Sequence, residues 1–173
     1  MRTTLRMMIP AIALCAFCAA AIDLQSPAVA TFLAQADSIV VEKSRRQLSL
    51  YAGKTQIGSF SISLGTNPVG DKEREGDGRT PEGNYLIDRR ISGSRFHLAL
   101  HISYPNAADM GRALAAGVSP GGDILIHGSP YWWPFDGLGP PGDWTEGCIA
   151  VTNRDMDEIW KLVLDGATID IRP

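Results

Sequence analysis

The stretch Gln47-Leu48-Ser49-Leu50-Tyr51-Ala52-Gly53-Lys54-Thr55-Gln56-Ile57-Gly58-Ser59-Phe60-Ser61-Ile62-Ser63-Leu64 decides the fold. Residues 47–51 alternate, Ala52-Gly53-Lys54 supplies a turn, and residues 57–64 alternate again. Ile57, Ser59, Ser61 and Ser63 fall on one side; Gly58, Phe60, Ile62 and Leu64 fall on the other. A period of two sends successive side chains to opposite faces, so two such runs about a glycine-containing turn predict a β-hairpin. Outward from it, Ser38 to Glu42 is β-branched. Tyr85-Leu86-Ile87, Phe96 to Ile102, Ile124-Leu125-Ile126, Cys148 to Val151 and Thr168 to Ile171 read as further strands. Helix signals are few. Ala107 to Ala116 has Asn106 as cap and Gly117 as stop. Asn153 to Leu164 has Thr152 or Asn153 as cap, acidic first turns, and Met156, Ile159, Trp160 and Val163 on one face. Strands without regular helical alternation argue against a doubly wound sheet. The expectation is a mainly β domain with about two α-helices.

The first 30 residues read as an export signal. Arg2 and Arg6 give the positive end, Met7 to Ile22 is almost unbroken apolar sequence, and Ala28-Val29-Ala30 offers a cleavage site. An earlier cut near Ala19-Ala20-Ala21 and an uncleaved anchor are the competing readings. The run is short against the roughly 20 residues a membrane span needs, and Pro10 interrupts it. Neither Cys15 nor Cys18 follows the triplet expected of a lipoprotein, and cleavage would remove both. Residues 31–173 suit one domain with a proper core. The formal net charge of −3 and the lack of a basic stripe make nucleic acid a poor candidate partner. The chain is expected to work as a monomer, exported to the periplasm or cell envelope.

Cys148 is then a single thiol on an exported domain, with no partner for an internal disulfide, so reactivity is the reason to look for. It lies in Thr145-Glu146-Gly147-Cys148, and an apolar run upstream ends in Ile126-His127-Gly128. A thiol must lose its proton to attack a carbonyl carbon, and an imidazole can take that proton near neutral pH. If the strands ending at His127 and starting at Cys148 pair, both groups converge at one end of the sheet. N–H groups around Gly147 and Cys148 are then placed to stabilise an oxyanion.

His127, a gap of seventeen residues and Thr145-Glu146-Gly147-Cys148-Ile149 together resemble the signature of the L,D-transpeptidase catalytic domain, the YkuD-like family. Arg79-Thr80-Pro81-Glu82-Gly83-Asn84-Tyr85, His101-Ile102-Ser103-Tyr104-Pro105-Asn106 and Cys148-Ile149-Ala150-Val151-Thr152-Asn153 resemble the subgroup of murein transpeptidases and a peptidoglycan–lipoprotein amidase. The resemblance runs over about residues 38–173. It implies a β-sandwich-like catalytic domain without metal or cofactor, with Cys148 as nucleophile, His127 as general base and the Gly128 carbonyl orienting the imidazole. The implied reaction attacks the peptide bond after meso-diaminopimelate in a peptidoglycan stem peptide and leaves a thioester, which an amine resolves. Water as acceptor would make the same site a hydrolase of peptidoglycan or of a peptidoglycan-linked lipoprotein. A wall-binding module without turnover is the rival of another class.

Thr145, Glu146, His101, Ser103, Tyr104, Trp132 and Trp133 are the candidate substrate-side residues. Trp132 and Trp133 sit in residues 128–144, which carry three of the four tryptophans and read as a binding loop or lid. Two positions depart from the family pattern. Glu146 stands where many relatives have histidine, and Ala150 where many have asparagine or arginine. Arg79, Arg95, Arg112 or Arg154 would then supply the charge for a substrate carboxylate. Two metal patterns are weaker than their bland alternatives. His97, His101 and His127 suggest zinc, but packed or exposed histidines are the simpler reading. Asp71, Glu73, Glu75, Gly76 and Glu82 mimic a calcium loop but lack flanking helices, so a solvated charged loop is expected.

Overall fold

A computed structural model describes residues 34–134 and 139–173. The export segment 1–30 and the middle of the aromatic loop lie outside the described residues. Eight strands form one curled sheet: β1 (Ala36–Glu42), β2 (Gln47–Ala52), β3 (Thr55–Ser61), β4 (Gly83–Ser94), β5 (His97–Ile102), β6 (Leu125–His127), β7 (Ile149–Ala150) and β8 (Val163–Arg172). Their order is β3-β2-β1-β8-β4-β5-β6-β7. Two helices, α1 (Ala107–Ala116) and α2 (Asn153–Leu162), complete the mainly β fold expected from the alternation. No helix among the described residues is long and apolar enough to cross a membrane.

The β2–β3 hairpin forms as the sequence predicts, with Leu48 opposite Phe60 and Leu50 opposite Gly58. Phe60, Ile62 and Leu64 are buried, while Ser59 and Ser61 face solvent, so the apolar side of the alternation is the core side. Burial of each such side chain contributes about 1.5–3 kcal/mol, which fixes the register, because a slip by one residue would turn this row outward. Beyond β3 the chain continues to the far edge of the sheet. Ser63 and Ala150 exchange two backbone hydrogen bonds of 2.8 Å, and Gly65 bridges to Thr145. The two ends of the strand order are thereby joined, and residues just before β7 become part of a closed wall.

β4 is much longer than the Tyr85–Ile87 run read from sequence. Its first part pairs with β8 and its second with β5, so it carries the chain from one half of the sheet to the other. α1 has the expected ends. The Asn106 side chain accepts from the Ala108 and Asp109 N–H groups, Asp109 bonds back to Asn106 N–H, and Gly117 closes the helix in the left-handed region. In α2 the cap is Thr152, whose hydroxyl accepts from Asp155 N–H at 3.1 Å. The helix is shorter than its spacing suggested. Val163 belongs to β8, buried beside Ala36 at the start of the β1–β8 pairing, and the register then jumps to Ser38 opposite Thr168. Tertiary packing of a β-branched residue overrides its place in a helical pattern.

Candidate active site

β6 and β7 pair in parallel, with His127 opposite Ala150. Cys148 lies two residues before Ala150, so it shares a face with His127. Both line a single cavity of about 610 Å³ with Phe96, Ile124, Leu125, Trp144 and Thr145 in its wall, and Arg95, Glu75, Asp123, Glu146 and Trp132 around it. The convergence expected of the two strands is present.

His127 is buried, and its backbone is held by Val151 N–H donating to its carbonyl at 2.9 Å. Its Nδ1 lies 2.7 Å from the Gly128 carbonyl oxygen, an acceptor only, so Nδ1 carries the hydrogen and Nε2 keeps its lone pair. Phe96 stacks on the ring with centroids 4.5 Å apart, and Trp144 meets it edge-on at 5.6 Å. Burial holds the imidazole below its ordinary 6.5, against the opposing effect of the Gly128 bond. The half-buried Cys148 thiol is pushed above its ordinary 9.0, by burial first, with Asp123 and Glu146 adding to the rise and a Leu125 backbone bond and Lys72 opposing it. At neutral pH both groups are therefore uncharged.

The turn that presents the thiol is braced by Thr145. Its buried hydroxyl donates to the Cys148 carbonyl at 2.7 Å and accepts from Gly147 N–H at 3.1 Å. One of the two amides nominated for the oxyanion is thus already engaged within the chain. Gly147 has φ 131°, and a Cβ there would lie 2.6 Å from the Arg79 carbonyl oxygen. No side chain fits that position.

The other nominated residues divide. Trp132 reaches the cavity and meets Trp133 edge-on at 6.3 Å. His101, Ser103 and Tyr104 do not line it. His101 Nδ1 sits 2.6 Å from Asp88, and the Ser103 hydroxyl accepts from Leu86 N–H. The buried Tyr104 donates to the Pro120 carbonyl, its phenol pushed up to about 12 by burial and then by Asp109. His97 faces Asp157, so the three histidines point to three different partners, and no cluster of three or more His, Cys, Asp or Glu among the described residues is placed to hold a metal ion.

The charged loop is not simply solvated. Lys72 and Thr80 are buried, and the Asp71 carboxylate accepts from Glu82 N–H while pairing with Arg112. Asp77 accepts from the Glu73, Arg74 and Arg79 N–H groups and from Lys72. Burial alone would raise its pKa, yet these bonds hold it at about 2. Because that lies below the unfolded value of 3.8, Asp77 stabilises the loop above pH 3.8, and the contribution is lost as pH falls through about 2.

The family model for the L,D-transpeptidase catalytic domain, YkuD, matches residues 36–171. The chain belongs to the L,D-transpeptidase catalytic domain family. An Escherichia coli K12 protein named "Putative L,D-transpeptidase YafK" is 30% identical over 131 residues, which is 72% of this chain and 46% of that protein. The solved structure of the helical cell shape determining protein Pgp2 from Campylobacter jejuni is similar with TM-score 0.60 and 27% identity, over 77% of this chain and 46% of that one. An L,D-transpeptidase from Xylanimonas cellulosilytica, at TM-score 0.52 and 14% identity over 80% and 61% of the two chains, shares the fold. The chain spans about half the length of the first two proteins.

Against the pattern of L,D-transpeptidase domains, the two departures have structural settings. Ala150 is buried, bonded to Ser63 and opposite His127. Of the four arginines weighed as its replacement in charge, Arg95 lines the cavity, its guanidinium 5.8 Å from the Phe96 ring centre. Arg79 is turned to Asp71 and Glu73, and Arg112 to Asp71 and Asp109. Glu146 is exposed at the cavity rim. Phe96, Trp144 and the capping Thr145 hydroxyl were not legible as a cage for the dyad, because stacking depends on the β5–β6 pairing and on an anchor far away. That anchor is Asp143, which accepts from Leu64 N–H at 2.9 Å and pairs with Arg46 at 2.6 Å, fixing the residue before Trp144.

Proposed function

We propose that the protein is an exported L,D-transpeptidase that acts on peptidoglycan stem peptides through a thioester on Cys148, with His127 as general base. One observation carries the reading: Cys148 and a His127 whose Nδ1 is already committed line the same open cavity. Nε2 takes the thiol proton as Sγ attacks the carbonyl carbon. The tetrahedral intermediate collapses, and the imidazolium returns the proton to the departing amine of the terminal residue. An acceptor amine then gives a proton to His127 and attacks the thioester, and the thiolate leaves and is reprotonated. In this reading residues 1–30 direct export, and residues 31–173 work as one catalytic domain.

Arg95 is assigned the donor's carboxylate and Glu146 the cationic acceptor. Arg95→Gln is expected to raise KM for the donor about five- to tenfold with kcat little changed, since a charge-assisted bond to an exposed guanidinium contributes about 1 kcal/mol. Steady-state kinetics with a disaccharide-tetrapeptide checks this. Glu146→Gln is expected to lower the ratio of transfer to hydrolysis about two- to fivefold, the range of an exposed ion pair. Separate assays of amine transfer and water release measure it, and an unchanged ratio rules out the assignment.

The reading as a whole is tested by incubating the protein with purified disaccharide-tetrapeptide, with and without lipoprotein-linked sacculi, and weighing the products. Cross-linked dimers support transpeptidation. Trimmed tripeptide or released lipoprotein, without dimers, would make it a hydrolase instead. Unchanged substrate with an accessible thiol would favour a wall-binding module.

A further inference from the structure

Gly128 and Ser129 share one peptide unit, and both of its polar ends are taken. Its carbonyl accepts from His127 Nδ1 at 2.7 Å, and its N–H donates to Asn153 Oδ1 at 2.8 Å. Gly128's own N–H donates to the Phe96 and Leu98 carbonyls at 3.0 and 3.3 Å. The imidazole is therefore hung from a peptide plane that Asn153 holds from behind. A Cβ on Gly128 would lie 2.4 Å from Asn153 Oδ1 and 3.1 Å from both His97 Cβ and the Phe96 carbonyl oxygen. Glycine at 128 leaves the space that the Asn153 oxygen fills.

Asn153 is not among the residues that line the cavity, and the cap of α2 is already supplied by Thr152. Neither the cavity wall nor helix capping accounts for its side chain. Its remaining consequence is the orientation of the Gly128 carbonyl, and through it the tautomer of His127. A neutral imidazole has two tautomers, and only the one with hydrogen on Nδ1 leaves Nε2 able to accept a proton.

We propose that Asn153 is a positioning residue: its side-chain oxygen locks the Gly128–Ser129 peptide so that His127 keeps its hydrogen on Nδ1 and offers an unprotonated Nε2 to Cys148. This rests on the reading of His127 as general base. A peptide released from Asn153 can rotate its carbonyl off Nδ1, and the ring then divides between tautomers and orientations. A ring that spends only part of its time in the working tautomer and pose reacts in proportion to that part.

The test compares wild type with Asn153→Leu and Asn153→Ala, which lack the acceptor, and Asn153→Asp, which keeps an oxygen in the same place. Nitrogen NMR of histidine-labelled, ligand-free protein at neutral pH reads the His127 tautomer, and intact mass reads the rate of Cys148 acylation by a carbapenem. Wild type and Asn153→Asp are expected to show the Nδ1–H tautomer. The two acceptor-less variants are expected to show mixed tautomers and acylation slowed about ten- to a hundredfold, the scale of lost orientation. Using two of them keeps the comparison if one does not fold. Wild-type tautomer and rate in either folded acceptor-less variant would overturn the proposal, as would a wild-type His127 protonated on Nε2. A slow rate that Asn153→Asp does not restore would also overturn it. If wild type itself is not acylated, the proposed function fails, and the tautomer spectra still judge Asn153.

Discussion

Cys148→Ala is expected to lose covalent capture and turnover together, a fall of at least roughly 10³-fold in kcat. No second thiol lies among the described residues that line the cavity. Among the residues that line it, Lys72 is buried and bonded to Asp77 and the Arg74 carbonyl, and Thr145 spends its hydroxyl on the Cys148 turn. The variant should fold, because the half-buried side chain gives up only a sulfur atom. Intact mass after carbapenem treatment, alongside circular dichroism, checks both halves: no adduct and an unchanged spectrum. An adduct on the alanine variant would move the nucleophile elsewhere.

His127→Ala is expected to cost about 10²- to 10⁴-fold in kcat/KM, the usual contribution of a positioned general base. The loss should be large even at neutral pH, because the thiol is held above its ordinary 9.0 and contributes little thiolate on its own. The wild-type pH profile carries the same information. His127 is held below 6.5, so its neutral, proton-accepting form persists through neutral pH, and activity is lost only as pH falls through that lowered value. The acid limb of kcat/KM should therefore lie below 6.5. In His127→Ala that limb should vanish and be replaced by a rise toward alkaline pH as Cys148 ionises. An acid limb at or above 6.5 in wild type would contradict the neutral dyad.

How far the sequence carried this account depended on the kind of contact involved. The 47–64 hairpin was legible because a period of two is a local property, and its buried row is the one the alternation marks. His127 and Cys148 were legible because each ends or opens an apolar run beside a glycine, and pairing of those runs was enough to unite them. β4 beyond Ile87 was not, since Asp88-Arg89-Arg90 and Ser92-Gly93-Ser94 lack an apolar row. That part of the strand is held by pairing with β5. Phe96, Trp144 and Asn153 were illegible as supports of the dyad for a similar reason. Their contacts with His127 or its neighbours run between residues 17 or more apart, and no local period encodes them. Tyr104 and Ser103 looked like substrate residues because they are polar and close in sequence to His101, yet the fold uses them to tie β4 and the Pro120 turn.

The most direct measurement is to quench the protein during reaction with a disaccharide-tetrapeptide and map the covalent adduct by mass. A stem-peptide acyl group, lacking its terminal residue, is expected on the peptide containing Cys148. Turnover of the same substrate with the acyl group on another residue, or with none trapped at any time, would contradict a thioester on Cys148.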